Sequence, residues 1–154
     1  MYSHLVRTKL EYCSFIWSPT TCVMSDKLER VQKKILNFMC FQLKVNANLS
    51  YLEKCKYFNI QPLYIRRNIS ELVFVNKVFN NKIDCAPIVQ AFTFYVPKRA
   101  LRRRALFAPR AHLNVRKQSP LVRAQTSANN VNLDIFDNVC SFKRSARRHF
   151  NDFL

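Results

Sequence analysis

Residues 26–39 read DKLERVQKKILNFM. Leu28, Val31, Ile35, Leu36 and Met39 recur at helical spacing, so the stretch predicts one apolar helix face. Lys27, Arg30, Lys33 and Lys34 take the remaining faces. Asp26 is placed to cap, with Glu29 three residues on as the second half of a capping box. Asp26–Arg30 and Glu29–Lys33 are spaced as favourable i,i+4 ion pairs. A helix of this kind cannot bury its face alone, so it sets the class: a helical bundle.

Working outward, residues 3–19 read SHLVRTKLEYCSFIWSP. Leu5, Val6, Leu10, Cys13 and Ile16 predict a helix over residues 2–17, with Arg7 and Glu11 paired on its wet face. Its apolar face needs a neighbour. Downstream, a short helix is expected over residues 49–58, opened by Asn48 or Ser50. Residues 59–61 form a linker, and Pro62 suits the first turn of the next helix. That helix is expected to reach Phe79, with Ile65, Ile69, Leu72, Val73, Asn76 and Phe79 on one stripe. Asn80-Asn81 then supplies a left-handed stop. Residues 92–96, FTFYV, alternate as a short strand ended by Pro97. A last helix covers residues 141–153. The class expected is mainly α: a small helical bundle, a basic and partly irregular segment, and a short C-terminal helix. The corresponding divisions are residues 1–82, 83–133 and 134–154.

Composition narrows function. The 154 residues are 49% hydrophobic and include 13 Phe, which suits a folded chain. They carry 26 Lys+Arg against 9 Asp+Glu, a net charge of +17. Such an excess repels itself when compact, so a polyanionic partner is expected: nucleic acid first, an anionic membrane surface second. The chain contains no glycine. Gly-cradled phosphate loops are therefore excluded, and turns that need positive φ fall to Asn or Asp. The six cysteines show no metal-ligand spacing, which predicts scattered, mostly buried, reduced thiols in the cytoplasm or nucleus. No stretch reads as a signal peptide or a membrane span.

The charge is concentrated. No acid lies between Asp84 and Asp134, and that interval holds Lys98, Arg99, Arg102, Arg103, Arg104, Arg110, Arg116, Lys117 and Arg123. These nine are the candidate nucleic-acid-binding residues. Within residues 98–110, KRALRRRALFAPR, cations interleave with Leu101, Leu106 and Phe107, which suits phosphate contact with apolar anchoring. A solvated loop or a nuclear-import signal is the plainer alternative. Residues 134–154 set Lys143, Arg144, Arg147 and Arg148 against Asp134, Asp137 and Asp152, near balance.

Catalytic chemistry has little to stand on. Asp134 and Asp137 are the one close carboxylate pair, and without a third ligand they read as a turn or a helix start. His4, His112 and His149 have no local partner motif. No catalytic residue, metal ligand or cofactor is assigned.

The order of the pieces resembles one family. Residues 5–17, LVRTKLEYCSFIW, followed by SP and by residues 26–39, resemble the segment after the polymerase palm in reverse transcriptases of non-LTR retrotransposons, the jockey-like elements nearest. Leu5, Val6, Leu10, Glu11, Tyr12, Trp17 and Pro19 match its first block; Leu28, Glu29, Val31 and Gln32 match its second. Residues 66–84, RRNISELVFVNKVFNNKID, match a third through Arg66, Arg67, Leu72, Lys77, Asn80, Ile83 and Asp84. Residues 92–102 and 113–123 resemble two later motifs. In the last, Leu113, Val115 and Arg116 depart from the family's Thr, Tyr and Gly. The resemblance implies a helical thumb and post-thumb region that holds template–primer duplex, RNA or RNA–DNA, against a palm domain. The family's catalytic aspartates belong to that palm, and no Tyr-x-Asp-Asp stretch occurs here. The implied chain is a nucleic-acid-binding, non-catalytic fragment of an RNA-directed DNA polymerase. The competing reading is a stand-alone basic helical module that binds RNA or another protein.

Overall fold

The computed structural model describes residues 2–19, 21–45, 49–94, 106–109, 113–131 and 133–151. The fold is mainly α. A π-helical stretch, Tyr2–Arg7, leads into α1 (Thr8–Glu11) and α2 (Ser14–Trp17). Then come α3 (Cys22–Gln42), α4 (Tyr51–Tyr57), α5 (Leu63–Phe79), α6 (Ala86–Ala91), α7 (Asn114–Lys117), α8 (Pro120–Asn130) and α9 (Val139–Asn151). Among the described residues, no helix is long and apolar enough to cross a membrane.

Two compact units divide the chain, residues 1–67 and residues 68–153. The expected boundaries at 82/83 and 133/134 do not coincide with this division, which falls within α5. Polar side chains at the start of α5 serve the first unit, and its apolar stripe from Ile69 onward serves the second. One continuous helix therefore belongs to both, and no composition change marks the border.

In the first unit the opening helix is interrupted. Cys13 adopts a left-handed φ of 49°, separating α1 from α2. Arg7 and Glu11 pair as expected, at 3.1 Å. The apolar face is partly open: Leu5, Tyr12 and Ile16 are exposed, while Val6 and Leu10 are half-buried. α3 starts at Cys22 rather than after Asp26, because nothing between them breaks a helix and the carboxylate of Glu29 is engaged elsewhere. Its buried stripe is Gln32, Leu36 and Cys40, four residues apart. Val31, expected inside, is exposed, and Leu28, Ile35 and Met39 are half-buried. α4 carries a true capping box. The Ser50 N–H donates to Glu53 Oε2 at 2.6 Å, and the Glu53 N–H donates to Ser50 Oγ at 3.3 Å. These bonds hold the Glu53 carboxyl below the usual range, the Ser50 backbone contributing most.

Without glycine, helix ends take other residues to the left-handed region. After α4, Asn59 has φ 52°, the Ile60 N–H bonds to Cys55 O at 2.9 Å and the Asn59 N–H to Lys56 O at 3.1 Å. This is a Schellman closure. Asn81 repeats it after α5, as expected, and Lys44 repeats it after α3. Lysine has no local compensation for its Cβ there, where a non-glycine residue costs about 1–2 kcal/mol. Lys44→Gly is therefore expected to stabilise the fold by about 0.5–1 kcal/mol, after the entropic cost of glycine is subtracted. Urea denaturation reads this out; Asn81→Gly should gain less, because Asn tolerates the conformation.

In the second unit, side-chain amides take the place of a sheet. Among the described residues there is one isolated bridge, Phe94 with Leu106, and no strand. The strand expected over 92–96 is not formed at its described residues: Phe92 and Phe94 instead pack on Phe79, with centroids at 5.5 and 5.3 Å. Backbone groups that a sheet would satisfy are met by amides. Asn129 accepts from the Leu106 N–H at 3.0 Å and donates to its carbonyl at 2.8 Å. Gln125 donates to Ala91 O at 2.9 Å. Asn76, fully buried, donates to the carbonyls of Ile135 and Asp137 at 2.7 and 2.8 Å. Residues 134–137 form a turn in which the Phe136 N–H donates to Asp134 Oδ1 at 3.0 Å. The apolar core comprises Ile69, Leu72, Val75, Val78, Leu106, Ala124, Phe142 and Ala146.

Candidate nucleic-acid interface

Of the nine candidate cations, Lys98, Arg99, Arg102, Arg103, Arg104 and Arg110 lie outside the described residues. Arg116, Lys117 and Arg123 are described. Arg116 and Lys117 close the short helix α7, both exposed and in its last turn. Arg123 differs. Ser119 and Pro120 open α8, with Pro120 at its first position, which puts Arg123 one turn in, against α5. Its Nε donates to Glu71 Oε1 at 2.6 Å; the Glu71 side chain is 3% exposed and that of Arg123 16%. Ser127 Oγ donates to the other carboxylate oxygen at 3.3 Å. Arg123 is thus a paired structural cation, whereas the acid-free interval in the sequence had it uncompensated. Its partner lies 52 residues upstream, beyond the reach of local charge counting. Arg123 still lines a cavity of about 390 Å³ with Lys117, Ala108, Pro109, Val122, Thr126 and Ser127, so the fold brings two of the nine candidates to one place.

Cations that sequence reasoning passed over stand on α9. Lys143, Arg144, Arg147 and Arg148 are exposed, while Phe142 and Ala146 on the opposite side are buried. Their near balance with Asp134, Asp137 and Asp152 hid them in a regional charge count. The i, i+1, i+4, i+5 spacing of KRSARR was the available signal.

In the first unit, Lys27, Arg30, Lys33 and Lys34 are all exposed on α3. The expected pairs Asp26–Arg30 and Glu29–Lys33 are not made. Glu29 is occupied by a different task. Its Oε1 accepts the Leu63 N–H at 2.9 Å, satisfying a free donor at the start of α5, and also accepts the Tyr51 hydroxyl. A carboxylate at a helix N-terminus is favoured by the dipole as well as by the hydrogen bond.

Around it is a connected polar cluster. Gln32, fully buried, donates from Nε2 to Gln61 O at 3.1 Å and to Tyr51 Oη at 3.2 Å. Its Oε1 accepts from Arg66 Nη2. Arg66 pairs in turn with Glu11, which also holds Arg7. Arg67, buried beside it, donates to Ser25 Oγ at 2.9 Å. Burial, and then the Glu29 carboxylate, push the Tyr51 hydroxyl far above its ordinary pKa, so it stays a donor. Burial likewise raises the Cys55 thiol. Because the protonated forms are the ones favoured in the fold, this stabilisation is present at neutral pH and is lost as pH rises past the ordinary tyrosine value, about 10.

All six cysteines are free. Cys40 and Cys55 are buried, Cys85 is intermediate, and Cys13, Cys22 and Cys140 are exposed, so the expectation of mostly buried thiols does not hold. Among the described residues, no three His, Cys, Asp or Glu side chains are grouped to hold a metal ion. The arrangement therefore provides exposed cations on a helical frame that buried amides and carboxylates hold together. No protein-family model, curated protein or solved structure matches the chain.

Proposed function

We propose that the chain is the thumb and post-thumb part of a reverse transcriptase of the jockey-like non-LTR retrotransposon kind. In this reading it binds template–primer nucleic acid through basic side chains and carries no polymerase centre of its own. One observation carries the reading. Glu11, Glu29, Gln32 and Arg66 come from three separate blocks of the family resemblance, and they join one hydrogen-bonded cluster through Tyr51. Scattered identities arising from composition alone have no reason to meet. The exposed apolar side chains of Leu5, Tyr12 and Ile16 fit a helix whose neighbour is a palm domain. The net charge of +17 fits a polyanionic ligand.

Phosphate contacts release counterions, so affinity for an RNA–DNA duplex is expected to fall steeply with salt and to depend weakly on sequence. Replacing Arg102, Arg103 and Arg104 by Ala should lower the magnitude of the slope of log K against log salt by up to about three units. The triple change at Lys27, Lys33 and Lys34, exposed on α3, should matter less. Equal, small effects from both would mean that the basic interval is a solvated or import-signal loop. Template-directed nucleotide incorporation by the pure chain would refute the non-catalytic part.

A further inference from the structure

The exposed face of α9 is a row of cations that no acid among the described residues pairs. Lys143, Arg144, Arg147 and Arg148 are all exposed and make no ion pair with a described residue. The helix is well anchored: Asn138 caps it by accepting the Cys140 N–H at 3.1 Å, and Phe142 and Ala146 are 2% and 0% exposed. The helix dipole accounts for basic residues in the last turn, which here are Arg148 and His149. It does not account for Lys143, Arg144 or Arg147. Lys143–Arg147 and Arg144–Arg148 are like-charge i,i+4 pairs, an arrangement that opposes helix formation unless an anion lies across them.

We infer that the α9 face is a second phosphate-binding surface, separate from the residue 98–123 interval, and that its occupant is a nucleic-acid backbone. This presupposes the nucleic-acid reading above. The two cation pairs are four residues apart, about 6 Å along the helix, while a duplex presents one phosphate per strand about every 3.4 Å. The row is therefore long enough to span about two phosphate steps of one strand lying alongside it. An anionic membrane is the poorer fit. A helix that lies on a bilayer inserts an apolar face, and the apolar face of α9 is buried within its own unit. Arg forks add bidentate phosphate contact at three of the four positions.

The test uses the full chain with Lys143, Arg144, Arg147 and Arg148 all changed to Gln, titrated with a 20-base-pair RNA–DNA duplex across salt. The changed side chains are exposed, and circular dichroism checks that helix content is kept. The slope of log K against log salt is expected to fall in magnitude by about three units, and affinity at moderate salt by on the order of 10- to 100-fold. A second readout needs no variant: duplex should protect Lys143 of the native chain from acylation. If the native chain binds duplex and neither the slope nor Lys143 reactivity changes, the α9 surface is overturned while the wider reading stands. If the native chain does not bind duplex at any salt, both fall. Binding of the native chain to phosphatidylserine vesicles, lost in the Gln variant while duplex binding is kept, would overturn the nucleic-acid occupant.

Discussion

Replacing Arg123 with Met is expected to destabilise the residue 68–153 unit by about 3–5 kcal/mol. The Glu71 carboxylate is 3% exposed and accepts from Arg123 Nε at 2.6 Å. Removing the guanidinium leaves the Glu71 carboxylate out of contact with water and without the Arg123 charge, while the Ser127 hydroxyl still donates to it across the α5–α8 contact. Breaking such a pair from one side costs far more than the pair itself contributes. The loss should appear as a fall in melting temperature on the order of 20 °C. The double change Glu71→Leu with Arg123→Met should recover most of it, because two neutral side chains of similar volume leave no stranded charge. Arg116→Met and Lys117→Met should each stay within about 0.5 kcal/mol of the native chain, as exposed positions do. Three cations of one sequence interval are thereby separated into one that holds the unit together and two that are open to a ligand. A melting temperature unchanged by Arg123→Met would mean that the ion pair is not formed in solution.

Gln32→Ala is expected to cost the first unit about 3–4 kcal/mol. The side chain is fully buried and joins three segments: Tyr51 of α4, the carbonyl of Gln61, and Arg66 of α5. Truncation removes the bond to the Gln61 carbonyl and a hydrogen bond to a charged donor, and leaves a void. Val31→Ala, one residue earlier, should change stability by less than about 0.5 kcal/mol, because Val31 is 40% exposed. A reading from hydropathy alone ranks these two the other way round, with Val31 in the core and Gln32 on the wet face. Chemical denaturation of the two single variants decides between the rankings. Tyr51→Phe should give an intermediate loss and should also weaken the decline in stability above pH 10, since the hydroxyl whose protonated form the fold favours is then absent.

The mainly α class was legible in the chain because helical periodicity is local: α3, α5 and the final helix all stand where apolar residues recur at 3.6-residue spacing. The left-handed stop at Asn81 follows from the same local chemistry, given a chain without glycine, whereas Cys13 and Lys44 take positive φ where Asn or Asp was expected. The cation-rich interval was equally plain, being a property of composition. Tertiary structure decided how the described cations stand, in that interval and on α9. It paired Arg123 with Glu71 and exposed Lys143, Arg144, Arg147 and Arg148. It also turned the α3 stripe toward Gln32 and drew Glu29 from a local cap to the start of α5. The reason is common to all of these. A buried polar side chain is placed by partners that lie 19 to 61 residues away, as from Gln32 to Tyr51 or from Asn76 to Asp137, and spacing along the chain carries no record of them. Hydropathy identifies which residues leave water, whereas only the packed fold shows which polar groups follow them in and are satisfied there.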